Sequence, residues 1–355
     1  MKMRKQWFVV AMLILLLPAC GGPRSIRLPW GARGHTLVFS PDGTALLVLY
    51  FPSDDSYETI EYRGMPGGQK KWQVENLRGD LSAAFAPDGS QVAVYSENRL
   101  LFYDANDGEP RGETDLEAQL ALDYGYPLYG VFHIRYLPDG TLALVTHHRD
   151  CFFLEIWNRD GTLTGKPVLL SCSGNPEWWC PFTSDGGWVA YAEHDTLGIV
   201  DVTTGERREW VIKDRLPAYK YISTLAFSPD GDEVAVGLSD TSFLYTDPAP
   251  RIREAMMLRF DARTGEVLSR HNAPDDTPVG ETFVSLAYSL DGRFLAATTL
   301  GANGLLLYDL SGTGEEPEVL CRGEECCNRF PAFSPDGGTL ATVCGRRVVL
   351  WEVES

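Results

Sequence analysis

The sequence predicts an all-β protein, a seven-bladed β-propeller, and three observations support this fold class. A turn phrase occurs seven times along the chain, short apolar strands follow each copy, and a segment near the N-terminus supplies a strand that the last repeat lacks. Repeats of roughly 40–50 residues are typical of propellers or of helical arrays. The chemistry of the repeated phrase therefore has to decide between the two.

The repeated phrase has the properties of a tight turn between two strands. Its full form is Phe-Ser-Pro-Asp-Gly, and the spacing from one aspartate to the next is 45 to 61 residues. The proline fixes φ at the second position of a type I turn, and the glycine accepts a positive φ at its end. This pattern is typical of a β-hairpin and not of a helical connection. The seven copies begin at Phe39, Phe85, Tyr136, Phe182, Phe227, Tyr288 and Phe333.

The segments between the turns predict four strands in each repeat. The strand after the turn is short and rich in Val, Leu, Ala and aromatic residues, as in Ala45–Phe51. The next strand, for example Leu197–Asp201, is followed by a second polar turn at Thr203–Glu206. Glu209–Ile212 is then predicted as a weaker outer strand. Four strands at this period describe one propeller blade.

The ends of the chain predict how the ring closes. The seventh repeat reaches Ser355 just after its third strand, whereas Ser25–Leu28 precedes the first repeat and has no blade of its own. We expect Ser25–Leu28 to complete blade seven, so that no first or last sheet edge stays unpaired. Residues 25–355 then form a single domain.

The first residues are interpreted as a cleaved leader. Lys2, Arg4 and Lys5 precede the apolar run Trp7–Leu17, which is too short to span a bilayer as a helix. The following sequence, Leu-Pro-Ala-Cys-Gly ending at Gly21, resembles the lipobox of bacterial lipoproteins.

This resemblance implies cleavage after residue 19, acylation of Cys20 and a short linker over residues 20–24. It also implies a lipid-anchored location on the extracytoplasmic side of a bacterial envelope. Gly21 is not the aspartate of an inner-membrane retention signal, which favours the outer membrane, facing the periplasm, if the cell has one. An ordinary signal peptide with a chance cysteine is the alternative.

The repeats resemble WD-repeat and TolB-like propellers from Gly34 to the C-terminus. The resemblance rests on Phe-Ser-Pro-Asp-Gly followed by Leu-Ala, and on Tyr-Asp or Trp-Glu at the end of the third strand. Gly34-His35 matches the Gly-His dipeptide of WD repeats, and Trp157-Asn158 and Trp351-Glu352 stand where a Trp-Asp pair would. The resemblance implies the propeller fold over nearly the whole chain after the leader.

The charge of the chain narrows the class of partner. The net charge is −18 and the isoelectric point is near 4.7, so the surface repels nucleic acid phosphates. We predict no nucleic-acid binding. The acidity favours either solubility alone or a basic protein partner.

The long insertions all fall on one side of the predicted ring, which we call the long-loop face. It holds the connections from second to third strand and from one blade to the next, whereas the repeated turns share the opposite turn face. The insertions are Phe51–Tyr57, Glu113–Gly130, Ser171–Trp179, Ser239–Glu254, Asn272–Gly280 and Cys321–Asn328. Variable loops on a rigid scaffold are where function usually lies, and Tyr and Trp dominate binding hot spots. The candidate binding residues are Tyr124, Tyr126, Tyr129, Trp178, Trp179, Tyr219, Phe243 and Tyr245.

The cysteines after Cys20 are also predicted on the long-loop face, and in an oxidising compartment they favour disulfides. Symmetry about the turns predicts pairs between Cys151 and Cys172 and between Cys327 and Cys344, which leaves Cys321 for Cys326. Cys180 is left over or competes with Cys151 for Cys172. Zinc is the alternative, because Cys and His suit this metal. Its candidate ligands are His147, His148, Cys151, Cys172, Cys180 and His194.

Catalysis is the less favoured interpretation, with a hydrolase or lactonase at the channel mouth as the alternative function. No Gly-x-Ser-x-Gly motif is present. The inner strands are mostly apolar or small, with His133 and Arg135 as isolated exceptions, and His133 is interpreted as a structural group. The segment ending at Trp210 and the pair Cys326-Cys327 resemble features of quinone-dependent dehydrogenases, a further alternative at the level of fold analogy. We predict no cofactor and no metal.

Overall fold

The computed structural model is a ring of seven antiparallel sheets around a central channel, as the sequence predicts. It describes residues 23–52, 57–79, 81–118, 128–149, 151–158, 161–172, 180–183, 185–193, 196–212, 220–240, 256–272, 282–300, 304–311, 317–321 and 329–353. No helix within these ranges is long and apolar enough to cross a membrane. The predicted leader and Cys20 lie outside them.

Each sheet is one blade, and its strands are arranged in chain order from the channel outward. Blade one contains β2 (Arg33–Phe39), β3 (Ala45–Phe51), β4 (Glu58–Gly64) and β5 (Gln69–Leu77). Blade two contains β6 (Ser82–Phe85), β7 (Gln91–Ser96), β8 (Arg99–Asp104) and β9 (Pro110–Asp115). Blade three contains β10 (Leu128–Tyr136), β11 (Leu142–His148), β12 (Cys151–Trp157) and β13 (Leu163–Ser171).

The remaining blades follow the same plan with two exceptions, in blades four and seven. Blade four contains β14 (Trp188–Glu193), β15 (Thr196–Asp201) and β16 (Arg207–Val211). Blade five contains β17 (Lys220–Phe227), β18 (Glu233–Asp240), β19 (Met256–Asp261) and β20 (Val267–Asn272). Blade six contains β21 (Thr282–Tyr288), β22 (Phe294–Leu300), β23 (Leu305–Asp309) and β24 (Glu318–Cys321). Blade seven contains β25 (Arg329–Phe333), β26 (Thr339–Cys344), β27 (Arg347–Glu352) and β1 (Arg24–Arg27).

The repeated turns form as their residue types require. In blade one, the Ser40 hydroxyl donates to Asp42 Oδ1 over 2.6 Å, and the Gly43 amide donates to the Ser40 carbonyl over 2.9 Å. Gly43 has a φ of 71°, a conformation that glycine adopts without strain. The same serine–aspartate hydrogen bond recurs in blades five, six and seven. The turn chemistry predicted from the sequence is confirmed.

Ring closure is confirmed in blade seven. β1 lies antiparallel to β27, with Ile26 opposite Val348. The strand begins at Arg24, one residue before the predicted start. The turns of blades one and seven are also adjacent, since a Cβ on Gly43 would lie 3.4 Å from Pro335 Cδ. The N-terminal strand therefore ties the two ends of the ring together.

The core consists of apolar layers between neighbouring blades. The middle strands are buried almost completely, as in β3, where Leu46 to Leu49 have no exposed surface. One cluster joins Leu47 and Leu49 of blade one to Val92 and Val94 of blade two, and equivalent clusters join other neighbouring blades. Each blade buries its faces against its neighbours, and these faces supply the core. Single exposed side chains at the two ends of the ring are therefore not needed for core packing.

Blade four departs from the prediction of four strands per repeat. Its innermost described segment, residues 180–183, makes only an isolated bridge between Phe182 and Val189. Pro181 has no amide hydrogen and cannot donate to a sheet ladder, although its carbonyl accepts from Ala190. The channel wall is therefore least regular at blade four.

Candidate functional site

The long-loop face presents two exposed aromatic side chains among the described residues. Tyr129, a predicted binding residue, is 60% exposed at the start of β10. Trp30, which the sequence analysis did not select, is 83% exposed in the connection from β1 to β2. Both lie beside connections between second and third strands, since Leu28 bonds to Arg346 and Leu128 pairs with His148. The other predicted binding residues, Tyr124, Tyr126, Trp178, Trp179, Tyr219, Phe243 and Tyr245, lie outside the described residues.

Tyr129 is supported by a cluster of rings in blade three. Its ring meets the His147 imidazole edge-on at 5.5 Å, and His147 stacks on Phe152 with a centroid separation of 4.5 Å. Phe132 contacts Phe152 edge-on at 5.2 Å. This packing holds Tyr129 on a rigid base, which lowers the entropy lost when a partner covers it.

A disulfide lies close to this cluster in blade three. Cys151 and Cys172 are bonded, which confirms the predicted pair at the ends of β12 and β13. The bond joins the outer strands of blade three at their long-loop ends, next to Phe152 in the sequence. Cys321 and Cys344 are also disulfide-bonded. The predicted partners Cys326 and Cys327 lie outside the described residues, so that connectivity stays a prediction.

The zinc alternative loses two of its ligands to this disulfide, because oxidised Cys151 and Cys172 carry no thiolate. Cys180 is a buried free thiol, and burial raises its pKa to about 12, which disfavours the thiolate further. His148 binds Glu155, and His194 lies outside the described residues. Among the described residues, no group of three or more metal-ligating side chains comes together.

A buried polar network lies on the opposite face of blade three from the ring cluster, toward blade two. The Glu155 carboxyl group is fully buried, and its Oε1 accepts from the Thr146 hydroxyl at 2.9 Å and from His148 Nε2 at 3.2 Å. Its Oε2 accepts from Trp157 Nε1 at 3.1 Å. A buried polar network that is hydrogen-bonded in this way rigidifies the strands that carry it. It therefore holds β11 and β12 in register.

Blade one carries a second buried acid–imidazole pair near the long-loop face. His35 Nε2 lies 2.5 Å from Glu58 Oε2, and both side chains are buried. His35 belongs to the Gly-His dipeptide that the sequence analysis singled out, and its other ring nitrogen bonds to Thr36. The pair links β2 to β4 across β3, so it acts on the blade's internal geometry.

The channel opens on the turn face into a cavity of about 600 Å³. Its wall contains the aromatic residue that begins each of the seven turns, from Phe39 in blade one to Phe333 in blade seven. Its rim contains the apolar residue two positions later, which in the described blades is Pro41, Pro87, Pro138, Pro229, Leu290 and Pro335. The equivalent residue of blade four, Ser184, lies outside the described residues.

Two charged residues of opposite sign line this cavity, at the irregular blade four. Arg135 projects from β10, and a Cβ on Gly186 would lie 3.6 Å from its Cγ, which places its stem beside the turn of blade four. Burial lowers the pKa of the Arg135 guanidinium, and the Asp185 carboxylate opposes that effect. Asp185 accepts from the Thr183 hydroxyl and the Gly187 amide, which holds the pKa of its carboxyl below the usual range.

The lactonase alternative requires three or more carboxylates in the channel. The described lining supplies one, Asp185. His133, two residues before Arg135, is partly buried, and burial lowers the pKa of its imidazole to about 4. His133 is therefore neutral at physiological pH. The cavity has the chemistry of an apolar funnel with one cationic and one anionic group, Arg135 and Asp185.

Comparisons with known proteins support the fold. No protein-family model and no curated protein sequence matches this chain. Hydrazine synthase of Kuenenia stuttgartiensis has a similar structure, with a TM-score of 0.66 and 14% identity over 89% of this chain and 94% of that one. A chain of the mitotic checkpoint complex matches with a TM-score of 0.63 and 14% identity over the full length of both chains. The Dos1 propeller matches with a TM-score of 0.57 and 15% identity over 90% of this chain and 78% of that one.

At these identities, the similarity shows the propeller fold alone. It establishes neither a shared activity nor a shared partner.

Proposed function

We propose that this ring is a protein-binding scaffold whose partner docks on the long-loop face, and that it acts by binding rather than by catalysis. One observation carries the proposal. Of the large hydrophobic side chains that are exposed among the described residues, the two aromatic ones, Trp30 and Tyr129, both lie on this face. The others are aliphatic: Leu169, Val211 and Leu268 belong to the outer strands β13, β16 and β20, and Leu290 belongs to the repeated turn of blade six.

Both aromatic residues have the setting of a binding hot spot. Arg346 lies over the Trp30 ring at 4.1 Å, and His147 supports the Tyr129 ring. Aromatic side chains that are already ordered lose little entropy on binding and can bury a large area. One of the similar structures, the mitotic checkpoint complex, is itself a protein assembly, which is compatible with this role.

We propose further that Cys20 is acylated and anchors the ring to a membrane. The supporting observation is where the chain enters the ring. Arg24 pairs with Leu350 near the end of β27, and Val353, just beyond β27, bonds to Gly338 in the last repeated turn, so the N-terminal strand begins at the turn face. The four peptide steps from Cys20 to Arg24 span at most about 14 Å.

A lipid on Cys20 would therefore hold the turn face toward the membrane and leave the long-loop face directed away from it. A partner in the adjoining compartment would meet Trp30 and Tyr129 without obstruction by the bilayer. The net charge of −18 would favour a basic partner and increase the rate of encounter. High salt would then slow association.

The test is a capture experiment with matched variants. The native chain would be immobilised and exposed to solubilised envelope proteins of the source organism. We expect a protein to be retained in near-stoichiometric amount, and we expect Tyr129→Ala together with Trp30→Ala to lose it. The Trp178→Ala/Trp179→Ala variant tests the remaining predicted residues in the same way.

The matched control is Leu268→Ala, which removes an exposed apolar side chain from the outer strand of blade five. It should retain the partner in full. Retention that is equal in the native ring and in both aromatic variants would overturn the proposed docking face. No retained protein at all would overturn the scaffold interpretation.

A further inference from the structure

The seven repeats allow equivalent residue positions at the channel mouth to be compared between blades. The residue directly before the aromatic wall position can be compared in all seven blades, and in four of them it lines the cavity. In six blades it is small or apolar, namely Val38, Ala84, Pro181, Ala226, Ala287 and Ala332. In blade three it is Arg135. The fold therefore does not need a charged residue at this position.

The small residues at this position leave the mouth open, and Arg135 adds a positive charge to it. Val38, Ala84, Ala332 and Arg135 all line the cavity of about 600 Å³, inside the wall of seven aromatic residues. The cavity has room for a small organic molecule. A guanidinium in such an apolar setting binds a carboxylate more strongly than it does in water, and its planar fork matches the two oxygens.

We propose that the turn-face mouth binds a small organic monoanion with an apolar body, with Arg135 holding the anionic group and the aromatic wall holding the body. This site lies at the end of the ring opposite to the proposed docking face, and it does not depend on that proposal.

The rim of the site favours a ligand of low charge. Each repeated turn places an aspartate at the turn face, and Asp42, Asp230, Asp291 and Asp336 each accept a hydrogen bond from the serine of their turn. Hydrogen bonds from these hydroxyls lower the pKa values of the four carboxyl groups, so the turns are ionised at neutral pH. This ring of negative charge would repel inorganic phosphate more than a monoanion whose apolar body fills the funnel.

Asp185 is the competing group for Arg135. Its carboxylate attracts the guanidinium electrostatically, and it also accepts from Thr183 and Gly187. A ligand carboxylate therefore has to compete with the Asp185 carboxylate for the Arg135 guanidinium. Removal of the Asp185 charge should therefore strengthen binding of an anionic ligand, whereas a purely structural Arg135–Asp185 pair would give no ligand binding in either state.

The experiment uses 1-naphthaleneacetate as the probe and its uncharged amide, 1-naphthaleneacetamide, as the matched ligand. Calorimetric titration of the purified full chain should show saturable binding of the acid. Arg135→Ala should weaken binding of the acid roughly 10- to 100-fold, the range expected for loss of a charge-assisted hydrogen bond. It should leave the amide unchanged, and Asp185→Asn should tighten binding of the acid.

Two controls protect the interpretation. Arg270→Ala removes an exposed arginine from the outer strand of blade five and should not affect binding. Arg135→Ala introduces the residue found in four sister blades, so an unchanged melting curve is expected and would separate loss of binding from loss of fold. Equal binding of the acid to the native ring and to Arg135→Ala, or no binding of the acid to the native ring, would overturn the proposal. Stronger binding of inorganic phosphate than of the probe would overturn the assignment to an apolar monoanion.

Discussion

The Glu155 network gives the sharpest prediction for stability. Substitution of Glu155 by alanine would remove the acceptor from three buried donors, Trp157 Nε1, the Thr146 hydroxyl and His148 Nε2. Thr146, Glu155 and Trp157 have no exposed surface, so water cannot replace the lost acceptor without opening the blade. A buried donor left without its acceptor costs about 1–3 kcal/mol.

We expect Glu155→Ala to lower the free energy of unfolding by roughly 3–5 kcal/mol, since losses within one network do not add fully. Glu155→Gln should cost about 1–2 kcal/mol, because its amide oxygen can still serve Thr146 and His148 while its NH₂ group faces the Trp157 N–H. The measurement is urea unfolding followed by near-ultraviolet circular dichroism, with the slope compared between variants to confirm that the same transition is observed.

The matched control is Glu113→Ala on an outer strand. Glu113 lies 3.6 Å from Arg99 at the surface, and both side chains are more than half exposed. An exposed ion pair contributes about 0–1 kcal/mol. A cost below about 1 kcal/mol for Glu155→Ala, or equal costs for Glu155→Ala and Glu113→Ala, would refute the view that this network stabilises blade three.

Three further predictions concern the ring itself. Gly265→Ala should cost about 2–3 kcal/mol in urea unfolding, because its φ is 67° and the new Cβ would overlap the Trp210 indole of the neighbouring blade. Gly337→Ala, with a φ of 73° and open space around it, should cost only about 1 kcal/mol. Ile26→Ala should cost about 2–4 kcal/mol and speed hydrogen exchange in blade seven first, because this buried residue belongs to the closing strand. Asp42→Asn should reduce the loss of stability between about pH 5 and pH 2. The pKa of the Asp42 carboxyl is depressed in the folded ring. Its ionised form therefore stabilises the fold above the ordinary pKa of 3.8, and this stabilisation is lost as the pH falls through the lower folded-state pKa. Unchanged acid sensitivity in Asp42→Asn would count against that assignment.

Most of the fold could be predicted from the sequence, because the conformation of the repeated turn depends mainly on the residues of the turn itself. A serine, proline, aspartate and glycine in this order specify a hairpin whatever surrounds them, and the strand Ala45–Phe51 was predicted at its observed bounds. The closing strand was also predictable, since a seventh blade without an outer strand needs one. Blade four was harder. The turn predicts a regular inner strand there, but Pro181 cannot donate to the ladder, and only a bridge forms at Phe182.

The candidate sites were harder to predict from the sequence than the fold. Trp30 was missed because it stands outside the long insertions, in a short connection whose exposure depends on ring closure. Arg135 was noticed as an isolated charge, but its significance appears only when the seven inner strands are aligned position by position. The Glu155 network had a sequence signal, a glutamate inside the apolar strand Cys151–Trp157, yet its partners on β11 follow from strand register.

Photo-crosslinking tests the central claim, that partners bind at the long-loop face, most directly. A photoreactive phenylalanine analogue would replace Tyr129 on that face or Leu290 on the turn face of the full chain, in the membranes of the source organism. Both positions are about half exposed or more, so their intrinsic access to a partner is similar. We expect a discrete protein adduct from position 129 and none from position 290. An adduct from position 290 alone would contradict it, because the partner would then bind the turn face.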